Sequence, residues 1–236
     1  MTAALPLTES GARLSEFTLR LLRPLAAAYM NRSWDINLRG QDYVPASGPL
    51  ILASNHIGWL DGPLLVAVSP RPAHALTKTE MFTGKTGRLL KFSGQISVNR
   101  HSTDAGAVRQ AVMALRANQA VVVYPEGTRG GGEFDEVKGG AAYLALVTGA
   151  PVVPVAIFGT RLAGEHTDAK PSKGQRIDIV YGPPVRFNAL DWPRDQSSVA
   201  KACDELRNCL RAHVENAHVR IKRELPGPLP AGDHDG

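Results

Sequence analysis

The chain has 236 residues, 43% of them hydrophobic and 21% charged, which fits one domain around one core and excludes a disordered or fibrous protein. Its formal net charge of +5 lies wholly between positions 71 and 100, where six basic residues stand against Glu80 alone. A basic excess this local excludes a diffusely charged nucleic-acid binder and favours contact with phosphate or anionic lipid, with a merely solvated surface as the alternative.

The first predicted element is an amphipathic helix from Ser10 to Met30. Apolar residues recur there at steps of three and four positions, which places them on one helical face. They are Leu14, Phe17, Leu21, Leu25 and Ala28. Two interpretations stay open: this face packs on the core, or it lies in a bilayer interface with the helix arginines near anionic headgroups. We therefore expect residues 1–33 to form an N-terminal segment capable of membrane association.

Strands and helices alternate through residues 34–225. The predicted strands are 34–38, 49–54, 74–77, 96–98, 120–124, 152–158 and 176–181, and the predicted helices are 62–68, 103–117, 140–147 and 197–223. Residues 78–92 form a glycine-punctuated basic segment. Such alternation is typical of an α/β domain whose helices cover both faces of a central sheet. Residues 226–236 lack core-forming content, so we expect a disordered tail.

The sequence predicts a cytoplasmic protein. Glu9 and Glu16 flank small and polar residues where a signal peptide would need a basic start and an apolar stretch. The uncharged run from Gly139 to Thr160 contains Gly149 and two prolines, which divide it into a helix and a strand, so no membrane-spanning helix is expected. The two cysteines, six positions apart, would lie on different faces of a helix, which fits free thiols in a reducing compartment.

The main candidate for catalysis follows the second predicted strand, where His56 and Asp61 lie five positions apart. In one continuous helix these side chains would be separated by about 140°, but Gly58 permits a bend that lets the carboxylate approach the imidazole. A carboxylate at one ring nitrogen fixes the tautomer and leaves the other nitrogen free to accept a proton. The pair could thus activate a hydroxyl of the substrate. A structural histidine is the alternative.

Polar and basic residues follow two more predicted strands. Residues 124–129 read YPEGTR, and the glycine allows a ligand to approach the backbone closely. Residues 94–100 read GQISVNR and end on Arg100, whose planar guanidinium suits phosphate oxygens. Two arginines together with Lys78 would form a strong anion site, although each charge alone is also typical of an ordinary surface.

Together these segments resemble the glycerolipid acyltransferases, a family that includes 1-acylglycerol-3-phosphate O-acyltransferases. Residues 55–61 are similar to the family's H(X)4D motif, 94–100 to its second block, 124–129 to its FPEGTR block and 153–155 to its fourth. Gly58, Asn99, Tyr124 and Gly130 depart from residues common in that family. The resemblance implies a glycerolipid acyltransferase fold, with a mixed sheet flanked by helices, working as a peripheral protein on the inner face of the cell membrane.

The resemblance also implies a reaction. An acyl chain would pass from acyl-CoA or acyl carrier protein to the free glycerol hydroxyl of lysophosphatidic acid, giving phosphatidic acid. His56 would be the general base and Asp61 its orienting partner. The residues implied for acceptor binding are Lys78, Arg100, Glu126, Gly127, Thr128 and Arg129. No cofactor is expected, with acyl-CoA or acyl carrier protein acting as the donor substrate. No metal is expected either, because His56 and Asp61 lack further ligands at zinc-like spacing.

The same residues leave alternatives open for the acceptor and for the function. The acceptor could instead be glycerol 3-phosphate, a lysophospholipid or a monoacylglycerol, and the protein could be a non-catalytic lipid-binding module. A serine hydrolase is disfavoured because the sequence has no G-x-S-x-G elbow. The expected partners are the two lipid substrates, an anionic membrane surface and, if it is the donor, acyl carrier protein; no nucleic acid is expected.

Overall fold

The computed structural model describes residues 16–190 and 195–233, and within them the chain forms one seven-stranded sheet with six α-helices. The strands are β1 Asp35–Arg39, β2 Leu50–Ser54, β3 Ala73–Lys78, β4 Ile96–Val98, β5 Ala120–Val123, β6 Val152–Phe158 and β7 Arg176–Tyr181. The helices are α1 Glu16–Ser33, α2 Asp61–Val68, α3 Gly84–Phe92, α4 Ala105–Arg116, α5 Gly140–Thr148 and α6 Gln196–Ile221.

The sheet is mixed, in the order β1-β7-β6-β2-β5-β3-β4. Five neighbouring strands, from β6 to β4, run parallel, whereas β7 is antiparallel to β6 and β1 is parallel to β7. Apolar residues run almost unbroken along β2, β5 and β6, and every residue of these three strands is buried. Strands of this kind need cover on both faces. Because the five strands from β6 to β4 are parallel, their carboxyl ends lie at the same edge of the sheet.

Helices supply that cover, as the sequence predicts. On one face, α4, α5 and α6 pack into a core with the side chains of β2 and β6. On the other face, α1 and α2 pack with Leu50 and Leu52 of β2 and with β7. The α/β class and the flanking of a mixed central sheet by helices are thus confirmed.

Helix α1 packs on the core through a face other than the predicted apolar stripe. Leu19 and Met30 are buried, and the Arg23 guanidinium donates to two carbonyls at the end of α2. The stripe instead faces outward, and its large side chains are 76% exposed at Phe17, 61% at Leu21 and 71% at Leu25. Leu14 and the first turn of the predicted helix lie outside the described residues. Packing of the described part of this stripe on the core is therefore excluded.

The segment after α6 makes specific contacts that the sequence did not indicate. The carbonyl of Gly227 accepts a hydrogen bond from the Arg161 guanidinium at 2.9 Å. The carboxylate of Asp233 accepts the backbone N–H of Thr167 at 2.8 Å. Residues 226–233 therefore lie against the loops that follow β6, which differs from the expectation of a tail without contacts. Residues 234–236 lie outside the described part of the chain.

Candidate active site

The predicted site residues gather at the carboxyl edge of the parallel strands. His56 follows β2, residues 124–129 follow β5, Lys78 ends β3 and Arg100 comes two positions after β4. In the register of the sheet, Lys78 lies beside Val98. In open α/β sheets this edge is where ligands bind, because the loops there turn away from the packed core. Four segments far apart in the sequence thus meet in one place.

His56 and Asp61 form a hydrogen-bonded pair. The Nδ1 of His56 lies 2.8 Å from Oδ2 of Asp61. The same oxygen accepts the backbone N–H groups of Ile57 at 2.7 Å and Gly58 at 2.9 Å, so the chain bends at Gly58 as expected. Asp61 is fully buried, whereas the side chain of His56 is 20% exposed. This arrangement fixes the imidazole by Nδ1, and among residues 16–190 and 195–233 no group hydrogen-bonds to Nε2.

The ring of Tyr124 holds the imidazole from one face. The two ring centroids are 4.2 Å apart and their planes differ by 24°, which is a stacked contact. Burial raises the pKa of Tyr124 well above its usual value, so this phenol stays neutral. Asp61 at the ring edge and Tyr124 at the ring face therefore leave the imidazole little freedom to turn.

The carboxylate of Glu126 supports the backbone of the His56 loop. One of its oxygens accepts the N–H of His56 at 2.9 Å, and the other accepts the N–H of Phe134 at 3.3 Å. Burial raises the pKa of Glu126 to about 7, against the lowering effect of these two amides. Both oxygens are thus occupied by protein groups, so the geometry favours support of the loop over direct contact with an acceptor.

Two further residues fix the loop that carries His56. The side-chain N–H of Asn55 donates to the carbonyl of Ile157 in β6 at 3.0 Å. The side-chain oxygen of Asn55 accepts the backbone N–H of Ile157 at 2.7 Å. Gly132 packs against this amide, and a Cβ there would lie 2.5 Å from Ile57 and 2.8 Å from Asn55. With a φ of +84°, position 132 also requires glycine for its backbone. The loop is therefore held by packing as well as by hydrogen bonds.

A basic cluster lies beside the pair, formed by Arg100 and Lys138 around Gly127. The guanidinium of Arg100 donates to the carbonyl of Gly127 at 3.3 Å, and Nζ of Lys138 lies 3.5 Å from the carbonyl of Arg100. The stem of Lys138 packs so closely on Gly127 that a Cβ there would lie 2.6 Å from it. Lys138 was not among the residues predicted from the sequence, although it follows the YPEGTR segment closely.

The remaining predicted binding residues, Lys78, Thr128 and Arg129, differ in their surroundings. Arg129 turns towards the loop after β6, where it donates to the carboxylate of Asp168 at 2.6 Å and to the carbonyl of Thr167 at 3.1 Å. Thr128 is exposed, and Lys78 is half-buried at the end of β3. Arg71, one of the six basic residues between positions 71 and 100, instead donates to three backbone carbonyls and belongs to the structural framework.

The loop after β6 contains two polar residues that were not predicted from the sequence, Thr160 and Arg161. The hydroxyl of Thr160 donates to Oδ1 of Asp61. The guanidinium of Arg161, only 1% exposed, donates to the carbonyls of Ile57, Glu165, Gly130 and Gly227. Within the described ranges, no group of three or more His, Cys, Asp or Glu side chains is placed to hold a metal ion.

Sequence comparison shows similarity to named acyltransferases. A family model described as Acyltransferase matches residues 35–158. The 1-acyl-sn-glycerol-3-phosphate acyltransferase of Streptococcus pneumoniae is 24% identical over 204 residues, which are 81% of this chain and 69% of the relative. The human 1-acyl-sn-glycerol-3-phosphate acyltransferase beta is 34% identical over 112 residues, 45% of this chain and 40% of the relative. The chain thus spans between about two fifths and two thirds of the length of these relatives.

Structure comparison agrees at the level of the fold. The crystal structure of the 1-acyl-sn-glycerophosphate acyltransferase PlsC from Thermotoga maritima superposes with a TM-score of 0.64 and 20% sequence identity, covering 87% of this chain and 81% of that one. The family model begins at β1 and ends at β6, so it includes His56, Asp61 and the basic cluster. Because that model matches more than half of the residues, this chain belongs to the acyltransferase family.

Proposed function

We propose that the protein transfers an acyl chain from a thioester, acyl-CoA or acyl carrier protein, to the free glycerol hydroxyl of 1-acylglycerol 3-phosphate. The observation that carries this proposal is the hydrogen-bonded pair of His56 and Asp61 beside the cluster of Arg100 and Lys138. A base next to a cationic cluster suits an acceptor that has both a hydroxyl and a phosphate. The names of the relatives support the same acceptor.

In the proposed reaction, His56 acts as the general base. Its Nε2 takes the proton of the acceptor hydroxyl while the hydroxyl oxygen attacks the thioester carbonyl. Asp61 stabilises the imidazolium through Nδ1. When the tetrahedral intermediate collapses, the carbon–sulfur bond breaks, and the imidazolium returns the proton to the departing thiolate. The products are phosphatidic acid and a free thiol, so the reaction needs no cofactor beyond its two substrates.

We place the acceptor phosphate at the basic cluster, with Arg100 and Lys138 as its first partners. Lys78 lies beside Val98 of β4, the strand that leads to Arg100, and Arg129 and the exposed Thr128 follow Gly127 directly in the chain, so we include all three in the acceptor site. A side chain at position 127 would displace Lys138, whereas glycine keeps Lys138 in place and lets the acceptor come close to the backbone. In this proposal Glu126 acts on the acceptor only indirectly, through the His56 loop.

Lys138→Met should raise the KM for lysophosphatidic acid about tenfold or more, because a charge-assisted contact to phosphate is lost while the stem on Gly127 is kept. Transfer of labelled acyl chains from acyl-CoA is measured with lysophosphatidic acid, glycerol 3-phosphate, a lysophospholipid and a monoacylglycerol in competition. Lys173→Met, an exposed lysine outside the site, is the matched control. Preference for a phosphate-free acceptor would contradict the proposal, and absence of turnover with every acceptor would favour a non-catalytic lipid-binding module.

We also propose that the outward face of α1 rests in the interface of an anionic membrane. Phe17, Leu21, Leu25 and Tyr29 are each more than 60% exposed on one helix, and Arg20 lies among them. Large apolar side chains flanked by arginine are typical of helices that lie in the headgroup region. In the described ranges, no helix combines the length and the apolar composition needed to cross a bilayer.

Leu21→Glu combined with Leu25→Glu should move the protein from the pellet to the supernatant when it is sedimented with vesicles containing anionic phospholipid. The fold should persist, because neither side chain is buried. Val219→Glu is the matched control, since Val219 is a similarly exposed apolar residue on α6. If the α1 variant sediments like the wild type, another surface holds the protein on the membrane.

A further inference from the structure

The buried carboxylate of Asp61 receives hydrogen bonds on both oxygens, and only one of them has a place in the proposed reaction. Oδ2 accepts from Nδ1 of His56 and from the amides of Ile57 and Gly58. Oδ1 accepts from the hydroxyl of Thr160, which lies just beyond β6, 99 positions along the chain. Both Asp61 and Thr160 are fully buried. Burial of both residues separates this hydrogen bond from bulk solvent.

The hydroxyl of Thr160 sets the rotation of the Asp61 carboxylate. A carboxylate rotates broadly about its last torsion unless partners hold both oxygens. With Oδ1 held by Thr160, the lone pairs of Oδ2 stay directed at the imidazole and at the two amides. Asp61 must hold the imidazolium at the moment when His56 carries the proton, so loss of this orientation would weaken the proposed base.

The surrounding contacts keep Thr160 itself in place. Arg161, the next residue, donates from Nε to the carbonyl of Ile57 at 2.7 Å. The carbonyl of Thr160 lies so near Gly58 that a Cβ on Gly58 would be 3.0 Å away. The turn after β6 is thus packed against the bend that brings His56 and Asp61 together.

We propose that Thr160 is a positioning residue for the His56–Asp61 pair, acting through its hydrogen bond to Oδ1 of Asp61. The predicted effect of Thr160 on turnover rests on the proposed acyl transfer. The predicted effect of Thr160 on the structure of the pair does not depend on that reaction. Thr160 itself lies outside the H(X)4D and YPEGTR segments.

Thr160→Val removes the hydroxyl at nearly constant volume and should lower kcat about tenfold or more, with the KM for lysophosphatidic acid within about twofold of wild type. Thr160→Ser keeps a hydroxyl and should restore kcat to within about threefold. In Thr160→Val, but not in Thr160→Ser, hydrogen exchange at the amides of Ile57 and Gly58 should become faster, because their acceptor is free to turn. A role in packing alone would not produce rescue by serine.

Thr148→Val is the matched control, because it deletes a hydrogen-bonded threonine hydroxyl in α5 away from the pair. It should change neither kcat nor the exchange at Ile57 and Gly58. The proposal is overturned if Thr160→Val keeps wild-type kcat, if serine and valine are equally impaired, or if the exchange is unchanged. Should Thr160→Val not fold, Thr160→Ala gives the same test without a methyl group against Asp61. A wild-type protein without turnover would refute the proposed function, and the exchange measurement would still decide the role of Thr160.

Discussion

Replacement of His56 by alanine is expected to abolish acyl transfer from acyl-CoA to lysophosphatidic acid, lowering kcat by about 10³-fold or more. The reason is that, in the proposed reaction, the imidazole held by Asp61 and Tyr124 takes the proton of the acceptor hydroxyl. The residual rate would come from binding and orientation of the two substrates, which alanine leaves intact.

The fold of the His56→Ala variant should be retained, since the side chain is partly exposed and packs mainly on Tyr124. Circular dichroism and thermal unfolding check this point. His101→Ala is the matched control, because His101 is 74% exposed and lies 3.9 Å from Glu80, its nearest carboxylate partner. An active His56→Ala enzyme would refute the assignment of the general base, whereas loss of activity in His101→Ala would show that the assay is not specific to the pair.

Arg161→Met is expected to lower the free energy of unfolding by about 3 to 4 kcal/mol. The buried guanidinium donates to four carbonyls that belong to the His56 loop, the glycine-rich loop after β5, the loop after β6 and the segment after α6. Methionine has a similar length but no donors, so these acceptors would lose their partners at once. A buried acceptor left without a hydrogen bond costs about 1 to 3 kcal/mol.

Urea unfolding monitored by fluorescence would measure this loss of stability. Arg211→Met is the matched control, because Arg211 is a half-exposed arginine that forms a surface ion pair with Asp135 at 3.3 Å. Exposed pairs of this kind contribute about 0 to 1 kcal/mol, so the control should remain close to wild type. Equal stability of the Arg161 variant and the control would mean that water replaces the guanidinium at these carbonyls.

The secondary structure was largely predictable from the sequence. The predicted strands 96–98, 152–158 and 176–181 coincide with β4, β6 and β7, and the other predicted strands and the predicted helices between residues 62 and 223 begin and end within two residues of those observed. Helix α1 ends at Ser33, beyond the predicted end at Met30. Strands buried on both faces are read from unbroken apolar runs, which is a local property of the chain. Helix α3 was missed, because Gly84 and Gly87 weaken the helical pattern in this segment. In the fold, Gly87 packs against the backbone of Phe82, where no side chain would fit.

The candidate site was predictable only in part. His56 and Asp61 are separated by five positions, so the bend at Gly58 could be inferred from the chain itself. Glu126 was assigned to the acceptor because of its place in the YPEGTR segment. Its contacts with the amides of His56 and Phe134 join positions 70 and 8 residues apart, and no local pattern indicates them. The outward orientation of the α1 stripe was likewise undecided, since an apolar face has the same spacing whether it meets a core or a membrane.

Local patterns in the chain were enough to place the strands, the helices other than α3, the α/β class and the pair of His56 and Asp61. These depend on short-range periodicity and on one glycine. The folded chain was needed to show which distant residues hold the pair, namely Thr160 on Asp61 and Arg161 on Ile57, and which residue joins Arg100 in the basic cluster, namely Lys138 on Gly127. The physical reason is that the sheet places β2, β5 and β6 side by side, so their loops exchange hydrogen bonds across about a hundred positions of the chain.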